Sequence, residues 1–113
     1  MMNFRQYPNI TKVVIPNNII LSTGNFNNTF NNMRNLVTSE FNHPNATDMC
    51  YTYNGCHNLT GSPVCGNNVI NMDGTYLNCR NLTGSPACSN NVINMYKTYM
   101  YCYNLTGSPV CGN

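Results

Sequence analysis

The sequence predicts a solenoid in which short parallel β-strands alternate with 3₁₀ or short helical turns, with few helices overall. Three observations lead to this class. The first is a fixed period: from Cys56 the chain reads C-H-N-L-T-G-S-P-V-C-G-N-N-V-I-N-M-D-G-T-Y-L-N, then begins again at Cys79 and at Cys102, a step of 23 residues. Leu59, Leu82 and Leu105 keep that step, as do Cys65, Cys88 and Cys111. Periods in the twenties belong to units that cannot bury an apolar face alone and must stack. The second is composition: 113 residues suffice for one domain, yet only 7% are charged, and Asn fills much of the polar surface instead. The third is spacing within a unit. Leu59, Val69, Met72, Tyr76 and Cys79 follow neither a period of 3.6 nor a period of 2, as expected of a coil that turns several corners.

In chain order, residues 10–16 (I-T-K-V-V-I-P) read as an opening strand, several residues further from its partner than the period predicts. Shifting by one period places Leu36 on Leu59, Met49 on Met72, Tyr53 on Tyr76 and Cys56 on Cys79. One copy earlier, Phe26, Phe30 and Met33 take the Met, Tyr and Cys positions. The organisation is therefore an irregular N-terminal cap and degenerate first coil over 1–35, then stacked repeats over 36–113 (36–58, 59–81, 82–104 and a partial 105–113). Within a unit, 59–63 suits a short strand that Pro63 ends. Gly66-Asn67-Asn68 is a turn signal. Residues 72–79, with Met72, Tyr76 and Cys79 at i, i+4 and i+7, suit one or two turns of 3₁₀ or α-helix. The inward columns are then Leu36/59/82/105, Met49/72/95, Tyr53/76/99 and Cys56/79/102.

These units resemble BspA-like leucine-rich repeats, a family of bacterial and viral surface proteins. Its unit opens on Leu, carries a Pro after the strand, then Val and an aliphatic residue, and closes on a small residue plus an aromatic with Cys three positions on. Leu59, Pro63, Val69, Met72, Thr75-Tyr76 and Cys79 follow that order, as do Leu82, Pro86, Val92, Met95, Thr98-Tyr99 and Cys102. The N-x-x-N-M-x-x-T-Y wording is similar to repeats of phage tail-associated and mycoplasma-type surface proteins. Gly61 and Ser62 stand where that family has aliphatic strand residues. The resemblance implies a leucine-rich-repeat-like solenoid with a surface role.

Few residues could carry catalysis. The only acids are Glu40, Asp48 and Asp73, the only histidines are His43 and His57, and no Walker loop, G-x-S-x-G or H-E-x-x-H occurs. A Glu40–Asp48 pair would fall in the irregular coil, where carboxylates are ordinarily solvated. No enzymatic activity, catalytic residue or cofactor is expected. A metal site is not expected either, because His57 beside Cys56 is replaced by Arg80 and Tyr103 in the equivalent positions and no CxxC pair exists. Six cysteines fall on two columns, Cys56/79/102 and Cys65/88/111, with Cys50 left over. Three-membered columns make a poor disulfide framework, so buried free thiols are expected and no disulfide is favoured. Asn58, Asn81 and Asn104, with Asn9, Asn27 and Asn45, match the N-x-T glycosylation pattern. The first three also sit at a fixed unit position, where amides can hydrogen-bond along the stack.

A net charge of +2 is too small and dispersed for a nucleic-acid footprint, and no apolar run is long enough for membrane insertion. No signal peptide is visible at the start of the chain. The expected location is a virion or the extracellular side of a cell surface. Differences between copies cluster at His57/Arg80/Tyr103, Asp73/Tyr96, Gly74/Lys97, Leu77/Met100 and Asn78/Tyr101. Positions free to vary in a stack are normally solvent-facing, which makes His57, Asp73, Arg80, Tyr96, Lys97, Tyr101 and Tyr103 the candidate recognition residues; Tyr and Arg are enriched at binding hot spots. The expected function is a non-enzymatic structural or adhesive repeat protein that presents a surface to a protein or a cell-surface glycan, as a tail-fibre, decoration or filament component. A bacterial adhesin and a soluble intracellular protein-binding solenoid are the alternatives. Repeated Thr60/83/106 and Thr75/98 could instead face ice or polysaccharide as a flat array. At the C-terminal end, Leu82, Val92, Met95 and Tyr99 are expected to be partly uncovered, leaving an open edge for a protein partner or for self-association.

Overall fold

Backbone hydrogen bonds repeat at the same interval as the sequence. In the computed structural model, which describes residues 4–16, 18–19, 21–40, 43–63 and 65–106, Asn25 bridges Asp48, Asp48 bridges Asn71 and Asn71 bridges Asn94, all in parallel. Around each bridge the N–H groups of alternate residues donate to the unit that follows. Phe26, Asn28, Phe30 and Asn32 reach the carbonyls of Asp48, Cys50, Thr52 and Asn54. Met49, Tyr51, Tyr53 and Gly55 reach Asn71, Asp73, Thr75 and Leu77, and Met72, Gly74, Tyr76 and Asn78 reach Asn94, Tyr96, Thr98 and Met100. Each of these junctions carries the same four bonds, at about 1 kcal/mol net apiece.

The intervening residues close turns within their own unit. The N–H of Thr75 donates to Met72, that of Leu77 to Gly74 and that of Cys79 to Tyr76, with the same bonds one period earlier and later. This corrects the 3₁₀ or helical turn expected over 72–79: no helix occurs among the described residues. The reason is backbone handedness. Asn28, Tyr51, Gly74 and Lys97, one period apart, have φ between 55° and 61°, and Asn32, Gly55, Asn78 and Tyr101 have φ between 61° and 74°. A left-handed residue every fourth position cannot propagate a right-handed helix; it gives successive turns with a flat edge. Asn and Gly accept that conformation readily, whereas each Tyr or Lys there costs roughly 1 kcal/mol.

Two strands occur among the described residues. β1 (Lys12–Val14) pairs in parallel with β2 (Thr38–Glu40), Lys12 opposite Thr38, an offset of 26 residues. The strand expected over 59–63 does not form. That segment makes one backbone bond per step, Thr60 to Val37, Thr83 to Gly61 and Thr106 to Gly84, because Gly61 and Gly84 sit at φ +87° and +81° and turn the chain away. The parallel ladder runs instead through 47–49, 70–72 and 93–95, where Thr47, Ile70 and Ile93 supply β-branched residues.

The interior is a set of vertical columns. Leu36, Leu59 and Leu82 are buried, as are Phe26, Met49 and Met72, while Met95 and Leu105 are half-buried. Phe4, Phe30, Tyr53, Tyr76 and Tyr99 form one stack of rings, with centroids 5.5, 5.1, 5.2 and 5.5 Å apart and planes within 17° of parallel. Phe4 closes this stack in two ways: its ring covers Phe30 and its N–H donates to the carbonyl of Thr29. Beside the rings, the thiols of Cys56, Cys79 and Cys102 donate to the carbonyls of Phe30, Tyr53 and Tyr76 at 3.0–3.1 Å. The hydroxyls of Thr52, Thr75 and Thr98 donate to Phe26, Met49 and Met72 at 2.7–2.9 Å. Thr75 and Thr98 are therefore buried bracing groups, which removes them from any exposed threonine array. Leu82, expected to be partly uncovered, is buried as well; Val92 and Tyr99 are half-buried.

Candidate functional site

The variable positions assemble into outer columns one period apart. Arg34, His57, Arg80 and Tyr103 form the first; Arg34 and Arg80 are exposed, His57 is half-buried and Tyr103 is 71% exposed. Partial burial, then the positive charges of Arg80 and Arg34, lower the pKa of His57, so the three side chains share one electrostatic neighbourhood that disfavours the protonated imidazole. No ion pair engages Arg34 or Arg80 among the described residues. Next to this column run Asn35, Asn58, Asn81 and Asn104, all exposed. The side-chain amides of Asn35, Asn58 and Asn104 donate to the carbonyls of Pro8, Arg34 and Arg80 at 2.8 Å. The expected amide-to-amide ladder is thus replaced by amide-to-backbone bonds. Those same bonds occupy the nitrogen that glycosylation at Asn58 or Asn104 would modify.

A second outer column holds Lys97. Its ammonium lies 4.8 Å from the centroid of the Tyr96 ring and 5.8 Å from that of Tyr51, and it donates to the Tyr51 hydroxyl at 3.4 Å. The hydrogen bond to Tyr51 raises the pKa of Lys97. Gly74 makes this possible: it occupies the position between Tyr51 and Lys97, and a Cβ there would run into the Tyr51 ring. Tyr96 is 67% exposed and Tyr101 50% exposed, the latter with its ring centroid 6.1 Å from that of Tyr103. Asp73 departs from the exposed placement expected of it. It is half-buried beside Cys50, and its Oδ1 is buried without a hydrogen-bond partner.

The thiols are not arranged for nucleophilic chemistry. Burial pushes the Cys56 thiol up to about 12 and the Cys102 thiol up to about 11, and raises Cys79 further. Cys50 is raised by burial and by the carboxylates of Asp73 and Asp48. Cys50, Cys56, Cys65, Cys79 and Cys102 are free, but Cys88 is disulfide-bonded. This corrects the expectation that no disulfide is favoured on the second cysteine column; the remaining member of that column, Cys111, lies outside the described residues. His43 is buried, with Nε2 2.7 Å from the carbonyl of Ile19 and Nδ1 accepting the N–H of Asn45, so it braces the irregular coil. Asp48 accepts the N–H of Cys50, and the Glu40 side chain lies outside the described residues. No group of three or more His, Cys, Asp or Glu that could hold a metal ion occurs among the described residues. Nor does any helix among them have the length and apolarity to cross a membrane.

Arg34 and Tyr51 are the two site residues that comparison of the copies missed. Arg34 was detectable, since it lies one period before His57. Tyr51 was not, because its role depends on the missing side chain at Gly74. The chain matches no protein-family model, no curated protein and no solved structure.

Proposed function

We propose that this chain is a non-enzymatic stacked-repeat scaffold, a leucine-rich-repeat-like solenoid that presents a recognition surface to a protein or glycan as a component of a virion or filament. The observation that carries the reading is the separation of constant from variable positions. Columns that fill the interior keep their residue types, whereas positions whose side chains lie at the outer edge, His57/Arg80/Tyr103, Asp73/Tyr96 and Asn78/Tyr101, change between copies even where their backbone makes the junction bonds. Tyr96, Tyr101 and Tyr103 put three large amphipathic rings into solvent at one end, where a folding requirement does not account for them.

Self-association at that end belongs to the same reading. The N–H groups of Lys97, Tyr99 and Tyr101 occupy the positions that donate to a following unit at every earlier junction, and they make no backbone bond among the described residues. A second copy or a partner subunit offering carbonyls would complete the pattern. Two measurements test the proposal. Mass spectrometry of purified particles or filaments from the source should detect the chain as a stoichiometric component. The variant Tyr96→Ala/Tyr101→Ala/Tyr103→Ala should lose at least about tenfold in binding to the native target, with thermal stability unchanged, as expected for hot-spot residues. Absence from such assemblies, together with binding that ignores the three tyrosines, would reject it.

A further inference from the structure

We infer that the column Arg34–His57–Arg80, with the row of asparagine oxygens beside it, is a binding track for a linear acidic polysaccharide carrying one carboxylate on every second sugar. The inference rests on the proposed surface role and names the ligand class for one face of it. The stack advances by 5.1–5.5 Å per ring, so Arg34 and Arg80, two steps apart, lie about 10 Å from each other along the axis. A pyranose in an extended β-linked chain advances by about one such step. Two arginines two steps apart therefore meet acids on alternate sugars, and His57 meets the neutral sugar between them. Partial burial and the two flanking guanidinium groups both disfavour a charge on that imidazole, so the two arginines carry the positive charge of the track.

The neighbouring asparagines suit the sugar hydroxyls. With Nδ2 of Asn35, Asn58 and Asn104 tied to backbone carbonyls, each of these residues holds its Oδ1 in a fixed orientation as an acceptor with no protein donor among the described residues. Tyr103, at the end of the column and 71% exposed, offers a ring face to a further sugar. A nucleic acid fits less well. Along a duplex strand phosphates recur about every 3.4 Å, too densely for cations spaced this widely.

Fluorescence polarisation with labelled hyaluronan oligosaccharide, whose carboxylates fall on alternate sugars, tests the inference. Neutral dextran and an oligo-dT strand serve as comparison probes. Hyaluronan should bind and weaken as salt rises, dextran should not bind, and Arg34→Gln/Arg80→Gln should weaken hyaluronan at least tenfold without changing the melting temperature. No hyaluronan binding, binding indifferent to the two arginines, or tighter binding of oligo-dT would each overturn the inference. These outcomes are distinguishable from failure of the broader reading. Tyrosine-dependent binding to another target without hyaluronan binding removes the acidic-glycan track alone, whereas arginine-dependent hyaluronan binding by a chain absent from any particle or filament removes the assembly role alone.

Discussion

Adjacent residues in one turn, Met72 and Asp73, have opposite fates. Met72 is fully buried between Met49 and Met95 of neighbouring units, whereas Asp73 keeps a buried carboxylate oxygen with no partner. Removing the Met side chain leaves a cavity, and Met72→Ala should cost about 2–5 kcal/mol. Asp73→Ser removes an uncompensated oxygen and should leave stability unchanged or raise it by up to about 1 kcal/mol. Urea titrations of the two variants check this, and similar midpoints would refute the register. The residue scale also shows where sequence reading stops. The inward character of Met72, Tyr76 and Cys79 is legible from the period and their apolar chemistry. The positive φ at Tyr51, Lys97 and Tyr101 is not, because the equivalent Gly74 and Asn78 show only that the conformation is permitted, not that a bulky residue will be forced into it.

Among the elements, the columns of thiols and tyrosines tie stability to alkaline pH. Cys56 is pushed from 9.0 up to about 12 and Cys102 from 9.0 up to about 11, and burial raises Tyr53 and Tyr99 as well. A raised folded-state pKa means that the unfolded chain ionises first. The contribution is therefore intact below about pH 9 and is lost as pH climbs toward the folded values. The melting temperature should hold steady from pH 7 to 9 and fall between pH 9 and 11, with a shallower fall for Cys56→Ala relative to its own neutral-pH value. Alkylation under denaturing, non-reducing conditions should count fewer than seven free thiols, since Cys88 is bonded; seven would show that the disulfide does not form. The turns and the ladder were the least legible elements. A spacing of i, i+4, i+7 is shared by a helix and by turns that put a left-handed residue at every fourth position. The strand-like reading of 59–63 gave way to glycine geometry at Gly61 and Gly84.

At the scale of the molecule, the described units between residues 26 and 100 are joined by one recurring set of bonds. Stability in such an array is close to a sum over units and junctions. A second copy of residues 59–81 inserted after Asn81 should therefore fold and raise the melting temperature, because it places Gly74 next to Gly74 and adds one full junction. Deleting 59–81 should be markedly more costly. It joins equivalent positions, but it brings the Lys97 backbone to the site where any Cβ collides with the Tyr51 ring. Adding Tyr51→Gly to the deletion should recover part of the loss, and calorimetry on the three proteins separates these outcomes. The ring stack has a spectroscopic consequence too. The chain contains no Trp, so tyrosine dominates the long-wavelength part of its near-ultraviolet signal. Tyr53, Tyr76 and Tyr99 overlap face to face at 5.2 and 5.5 Å, close enough for their transitions to couple, while the exposed tyrosines contribute little optical activity. The tyrosine circular dichroism band is then a built-in gauge of how many units are in register, readable without any label.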